Sequence, residues 1–210
     1  MPAPRLADLV DPATTAVVTS ECQRGVLGGV EGEDAIFPEL AAAARAEMLP
    51  NVVRVVAGAR AAGAQVIHAL AHRRADGRGA STNARLFGAA AKAPVLLGAD
   101  TAAGGLVDEL AGDDRDLVST RLHGLGPMAG TDLDALLRNV GATTVVVVGV
   151  SVNVAVTNLV MDAVNHGYRV VLPRDAVAGV PALYADALID NTLALLATVT
   201  TTDDLLAAWT

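Results

Sequence analysis

The sequence predicts one α/β domain spanning residues 1–210, a three-layer, Rossmann-like fold with about six mostly parallel strands and helices on both faces. Three observations carry this. Short β-branched runs alternate with longer helical segments, the order that builds a parallel sheet covered on both sides. One run, residues 143–150, carries five valines, four of them consecutive, and so is suited to burial on both faces, as in a central parallel strand. The 210 residues are 52% hydrophobic but only 2% aromatic, enough for one sizeable core built from Ala, Val and Leu.

The elements follow in chain order. Residues 15–20 form a β-branched run ending at Glu21, and an Ala-rich segment over 37–62 has helical spacing that Pro50 is expected to break. Gly63 stops that helix before a strand at 65–70. The polar stretch 71–85 is long for a connection and is a candidate functional loop. Short helices are expected over 86–91 and 105–110, then a strand over 116–122. Thr131 is an N-cap for a helix over 132–139, with Asp132 and Asp134 placed against its dipole. After the valine strand come a helix over 152–165 stopped at Gly167, a strand over 169–172, a helix over 181–196 and a last short strand over 198–201.

Charge and cysteine usage narrow the function. A formal net charge of −8 argues against a phosphate-backbone partner, so a small molecule is expected and nucleic acid is not. The single cysteine, Cys22, excludes an intramolecular disulfide and cysteine-rich metal sites, in keeping with a reducing cytoplasm. Residues 1–10 lack the apolar run of a secretory signal, and the apolar stretch 145–156 is too short to span a bilayer. Neither a membrane partner nor a cofactor is expected. The high apolar fraction favours a homo-oligomer, a dimer or tetramer.

Ligands of such sheets bind outside the carboxyl ends of the strands, so residues just after strands are the candidates. Glu21 is a strand-end carboxylate usable as a general acid or base. Arg121 carries a permanent charge that either pairs with Glu21 or holds an anionic substrate. The turn through Val150, Ser151, Asn153 and Ala155 offers backbone N–H groups to an oxyanion. Gln23 follows Glu21, Arg73 opens an arginine cluster with Arg74, Arg78 and Arg85, and His123 lies in the loop after Arg121; these join the substrate-binding candidates. His68 and His72 lack the spacing of a zinc site, and no metal is expected.

Three segments resemble the isochorismatase-like hydrolases. The run Thr15-Ala-Val-Val-Thr-Ser-Glu-Cys-Gln23 is similar to their opening strand, where an Asp stands one hydrophobic residue before a Gln. Gly130-Thr-Asp-Leu-Asp-Ala-Leu-Leu-Arg138 resembles the helix after their lysine strand. Gly149-Val150-Ser151, Asp162-Ala163, Gly167-Tyr168 and Arg174-Asp175-Ala176 follow in the family's order and spacing. The resemblance implies a site where cysteine hydrolases use an Asp, a Lys and a Cys. Here Glu21 takes the Asp position, Arg121 or Leu122 the Lys position, and Ala155 the nucleophile position.

Ala155 cannot attack a carbonyl carbon, so a covalent amidase mechanism is disfavoured. Cys22 neighbours Glu21 on a strand and is expected to point to the opposite face, buried. Family members acting on vinyl ethers also lack the cysteine and rely on an acid, which Glu21 with Ala155 resembles. The resemblance thus implies a non-cysteine hydrolase in which Glu21 does acid/base work and Arg121 orients it or the substrate. The other reading is a catalytically silent ligand-binding homologue.

Overall fold

The computed structural model describes residues 5–29 and 35–210; residues 1–4, part of the N-terminal reading above, and 30–34 lie outside them. After α1 (Leu6–Leu9) the chain forms β1 (Thr15–Ser20), α2 (Arg24–Leu27), α3 (Pro38–Ala43), α4 (Leu49–Ala62) and β2 (Gln65–Ala71). Then come α5 (Arg85–Lys92), β3 (Leu117–Arg121), α6 (Leu133–Asn139), β4 (Thr144–Val150) and α7 (Thr157–Asn165). The chain closes with β5 (Arg169–Pro173), β6 (Val177–Ala178), α8 (Ala182–Asn191), β7 (Thr198–Thr200) and α9 (Thr202–Ala207).

The strands form one parallel sheet in the order β3-β2-β1-β4-β5-β7, with the two-residue β6 pairing β4 beyond the end of β5. All seven residues of the valine strand β4 are buried, flanked by β1 and β5. Alternation along it sorts the two faces. Val146, Val148 and Val150 join Met48, Val52 and Leu205 from the layer of α4 and α9. Val145 and Val147 join Leu137, Leu159 and Ile189 from the layer of α6, α7 and α8. Helix against sheet against helix is therefore the architecture expected from the alternation. No helix of the described residues is long and apolar enough to cross a membrane.

Several local expectations change. Pro50 does not break its helix; the chain widens into a π-helical turn over Ala44–Met48 and resumes in α4 with Pro50 in the first turn. Residues 105–110 are not helical, because Arg24 N–H donates to Gly105 O (2.9 Å) and Val107 N–H to Cys22 O (3.1 Å), drawing the segment out as an antiparallel bridge. Helix α9 was not expected. Thr201 caps it by accepting from Asp204 N–H (3.2 Å), and the Asp175 carboxylate accepts from Thr202 N–H (2.8 Å). Asp175, two residues after β5, is thereby committed to docking the C-terminus.

His68 sits in the middle of β2, 1% exposed. Thr19 Oγ1–H donates to its Nδ1 (2.8 Å), and its Nε2–H donates to Asp116 (3.0 Å), which also pairs with Arg60. Asp116 can only accept, so in the neutral ring the proton sits on Nε2. Burial pushes the His68 pKa down, with the Asp116 carboxylate opposing. A folded pKa below the unfolded value means the unfolded chain takes the proton first as pH falls. Stability contributed by neutral His68 is therefore complete above the ordinary histidine pKa of about 6.5 and declines as pH drops below it. In urea titrations from pH 8 down to pH 5, His68→Gln is expected to start less stable and to lose less on acidification than the parent chain. Equal losses would show that His68 does not carry the acid sensitivity.

Candidate active site

The carboxyl ends of β1, β2, β3 and β4 open into one cavity of about 280 Å³, where the strand order reverses around β1. Its volume lies near the lower end of the roughly 300–1,000 Å³ range of small-molecule sites. Glu21, Arg121 and Ala155 all line it, together with Arg73, His72, His123 and Ser151. Glu21 is the only carboxylate among the described lining residues. The rest is mainly apolar, with Phe37, Leu40, Phe87 and Leu97 among the walls. Helix α5, which has no buried residue of its own, covers the mouth with Leu86, Phe87, Ala90 and Ala91.

Glu21 is aimed by its backbone. It is the only non-glycine residue at positive φ among the described residues (φ +53°), while its N–H still donates to Ala69 O of β2 (2.9 Å). Such a conformation is unfavourable for a side chain bearing a Cβ and persists only where surrounding contacts impose it, which is frequent at functional sites. Alternation along β3 buries Ser119 and Arg121, and Arg121, in register with Ala71, pairs its Nη2 with the Glu21 carboxylate. Of the two candidates for the lysine position, Arg121 is the one that engages Glu21. Leu122 is 43% exposed and contributes an apolar wall.

Cys22 is fully buried, with its thiol 3.7 Å from Ser20 O and directed away from the cavity. Burial first, and the neighbouring Glu21 charge second, push its pKa up to about 12. The thiolate needed for nucleophilic attack is therefore scarce at neutral pH. Ala155, 3% exposed, is set in the π-helical turn Val152–Val156. Ser151 O accepts from Val154 N–H (3.1 Å) and Val156 N–H (3.0 Å), skipping the Ala155 amide between them.

Three expected binding residues are absent from the cavity wall. Gln23 is fully buried; its Oε1 accepts from Ala71 N–H (2.8 Å), and its Nε2 donates to Ala71 O (3.0 Å) and Gly104 O (2.9 Å). It latches the end of β2 to the 102–104 segment. Asn153 spends its amide on the backbone of Val180, at 2.7 and 3.0 Å. Val150 faces the core, and its carbonyl accepts from Ser20 Oγ (2.7 Å). Arg73 lines the cavity and also ties the 71–85 loop to α5 through Ala91 O (3.3 Å). His123 stands on the exposed rim. The apolar walls from α3 and α5 went unrecognised because single Leu and Phe residues in a sequence look the same in a core and in a pocket. Among the described residues no three His, Cys, Asp or Glu side chains converge as a metal centre.

This architecture recurs in solved structures. A cysteine hydrolase from Pseudomonas syringae pv. phaseolicola 1448A is similar at 22% identity and a TM-score of 0.83, covering 100% of this chain and 98% of its own. An isochorismatase family protein from Desulfovibrio vulgaris shares 27% identity over 92% of this chain and 98% of its own, with a TM-score of 0.72. N-carbamoylsarcosine amidase from Thermoplasma acidophilum shares 21% identity over 90% and 97%, with a TM-score of 0.70. No curated protein matches the chain. The family described as the isochorismatase domain matches residues 15–204, nearly the whole described fold and every strand of the cavity. The chain belongs to the isochorismatase family.

Proposed function

We propose that this protein is an isochorismatase-like hydrolase that acts on a small molecule in the cavity without a cysteine nucleophile. The observation that carries this is Glu21, the described cavity's only carboxylate, held in a left-handed backbone conformation and paired with Arg121. In this reading the Glu21 carboxylate accepts a proton from water as the water oxygen bonds to the electrophilic carbon. It returns that proton to the leaving oxygen or nitrogen as the scissile bond breaks. Arg121 orients the carboxylate, and the Ala155 N–H donates to the oxygen that gains charge.

A second reading, a silent binding protein, is favoured by the absence of any nucleophile at Ala155. Assays of vinyl ethers, esters and amides separate the two. Turnover that survives Cys22→Ala and is lost in Glu21→Gln is the expected result. Turnover unaffected by Glu21→Gln overturns the acid/base assignment, and ligand affinity without turnover supports the binding protein.

The small-molecule site is proposed to work in the cytoplasm within a homo-oligomer, a dimer or tetramer. Exposed apolar side chains support the association: Leu183 is 85% and Leu195 82% exposed, beside the half-exposed Tyr184. Sedimentation velocity is expected to give two or four times the chain mass; a monomer would refute the assembly.

A further inference from the structure

Arg121 has more to offer than its bond to Glu21. The side chain is 7% exposed and lines the cavity. Its Nη2 donates to Glu21 and, at 3.5 Å, to Leu125 O. Its Nη1 is buried and has no hydrogen-bond partner among the described residues. Buried polar groups are almost always satisfied, and a guanidinium is matched best by an oxyanion.

A second observation is independent of Arg121. The chain carries a net charge of −8, yet residues 73–92, which form the loop and helix over the cavity mouth, hold Arg73, Arg74, Arg78, Arg85 and Lys92 against Asp76 alone. Arg74 and Asp76 satisfy one another, which leaves the rest as a cationic strap. A cationic rim on an acidic protein attracts anions locally while the remaining surface repels them.

Size and charge select among anions. The cavity is small, and most of its described wall is apolar. Glu21 already holds Nη2 of the guanidinium, so a second negative charge on the ligand would face a carboxylate across the same group. We infer that the cavity takes a compact apolar monocarboxylate, its carboxylate on the Arg121 guanidinium and its skeleton against Phe37, Leu40, Phe87 and Leu97. The inference rests on this cavity being the functional site, as proposed above, but not on turnover.

The test is calorimetric binding of three probes to the full chain: benzoate, its neutral isostere benzamide, and the dianion phenyl phosphate. Benzoate is expected to bind at least about tenfold more tightly than benzamide, as a charge-assisted bond to a guanidinium requires. Its affinity is expected to fall with added salt. Glu21→Gln is expected to tighten benzoate several-fold, because the guanidinium is no longer shared with a second carboxylate; a merely structural arginine would give no such gain. Arg121→Lys, which keeps the charge but not the planar fork, is expected to erase most of the preference. Equal binding of benzoate and benzamide, a preference untouched by both variants, or no binding of benzoate overturns the inference. Tighter binding of phenyl phosphate overturns the monocarboxylate class. Loss of hydrolysis in Glu21→Gln is read in a separate assay, so failure of the catalytic reading leaves these outcomes interpretable.

Discussion

Glu21→Gln is expected to lower kcat/KM on any true substrate by about 10²–10⁴-fold, the usual contribution of a positioned general acid or base. Gln preserves the length and the amide can still accept a bond from Arg121, so the local fold is expected to survive while proton transfer does not. Circular dichroism and unfolding midpoints near those of the parent would separate this loss from misfolding. Glu21→Asp asks the complementary question. It keeps the acid but withdraws it by one methylene from Arg121 and from the cavity. A displacement of that order is expected to cost about 10²-fold, because proton transfer depends steeply on distance. Parent-like turnover by Glu21→Gln would mean that Glu21 does not carry the proton; parent-like turnover by Glu21→Asp would mean that the site tolerates the shifted carboxyl.

Gly149→Ala is expected to be among the most damaging single-methyl additions in the chain. Gly149 adopts φ +106° as the penultimate residue of the buried strand β4, a conformation outside the left-handed region that residues with a Cβ tolerate. A Cβ there would run into Ser20 O, lie 2.9 Å from Ser20 N and 3.1 Å from the Cys22 thiol. The obstruction is backbone of the neighbouring strand, in register opposite Gly149, and no rotamer change relieves it. Strain at such a φ costs of order 1–3 kcal/mol, and the clash adds to it. A loss of roughly 3 kcal/mol or more is expected, lowering Tm by roughly 6–12 °C for a chain of this size. Calorimetry checks this; an unchanged Tm would show that the β1–β4 pair has slack. The position also bears on function, since pushing Ser20 outward displaces Glu21, the next residue, and a folded Gly149→Ala variant is expected to lose activity as well.

The site depends on four strands agreeing. Glu21 follows β1, Arg121 ends β3 and Ala155 comes after β4; β2, lying between β1 and β3, ends in Ala71 and leads into His72 and Arg73. Because the backbone of each strand is locked to its neighbour, errors in any one register propagate to the ion pair. Gln23 illustrates how support of this kind is built. A side chain next to the catalytic candidate is spent on holding the end of β2, and Asn153 does the same for the backbone at Val180, ahead of α8.

The sequence by itself determined the alternation of elements, the central buried position of the valine strand, and the resemblance that set Glu21, Arg121 and Ala155 as one constellation. Those features are local or periodic, and burial on both faces leaves its mark on every residue of β4. Which of Arg121 and Leu122 meets Glu21 is visible only in the tertiary structure. A one-residue shift along a strand reverses the face, and only the pairing of β3 with β2 shows which residue is turned inward. The fates of Gln23, Val150 and Asn153 were likewise invisible in the sequence, because a polar side chain near a site and one that holds the backbone behind it have the same spacing. Helix α9 escaped notice because its first turn is fastened by Asp175, 27 residues earlier. Arg121 Nη1, unpartnered among the described residues, is a feature of three dimensions only, the difference between what the guanidinium can donate and what the packed residues accept.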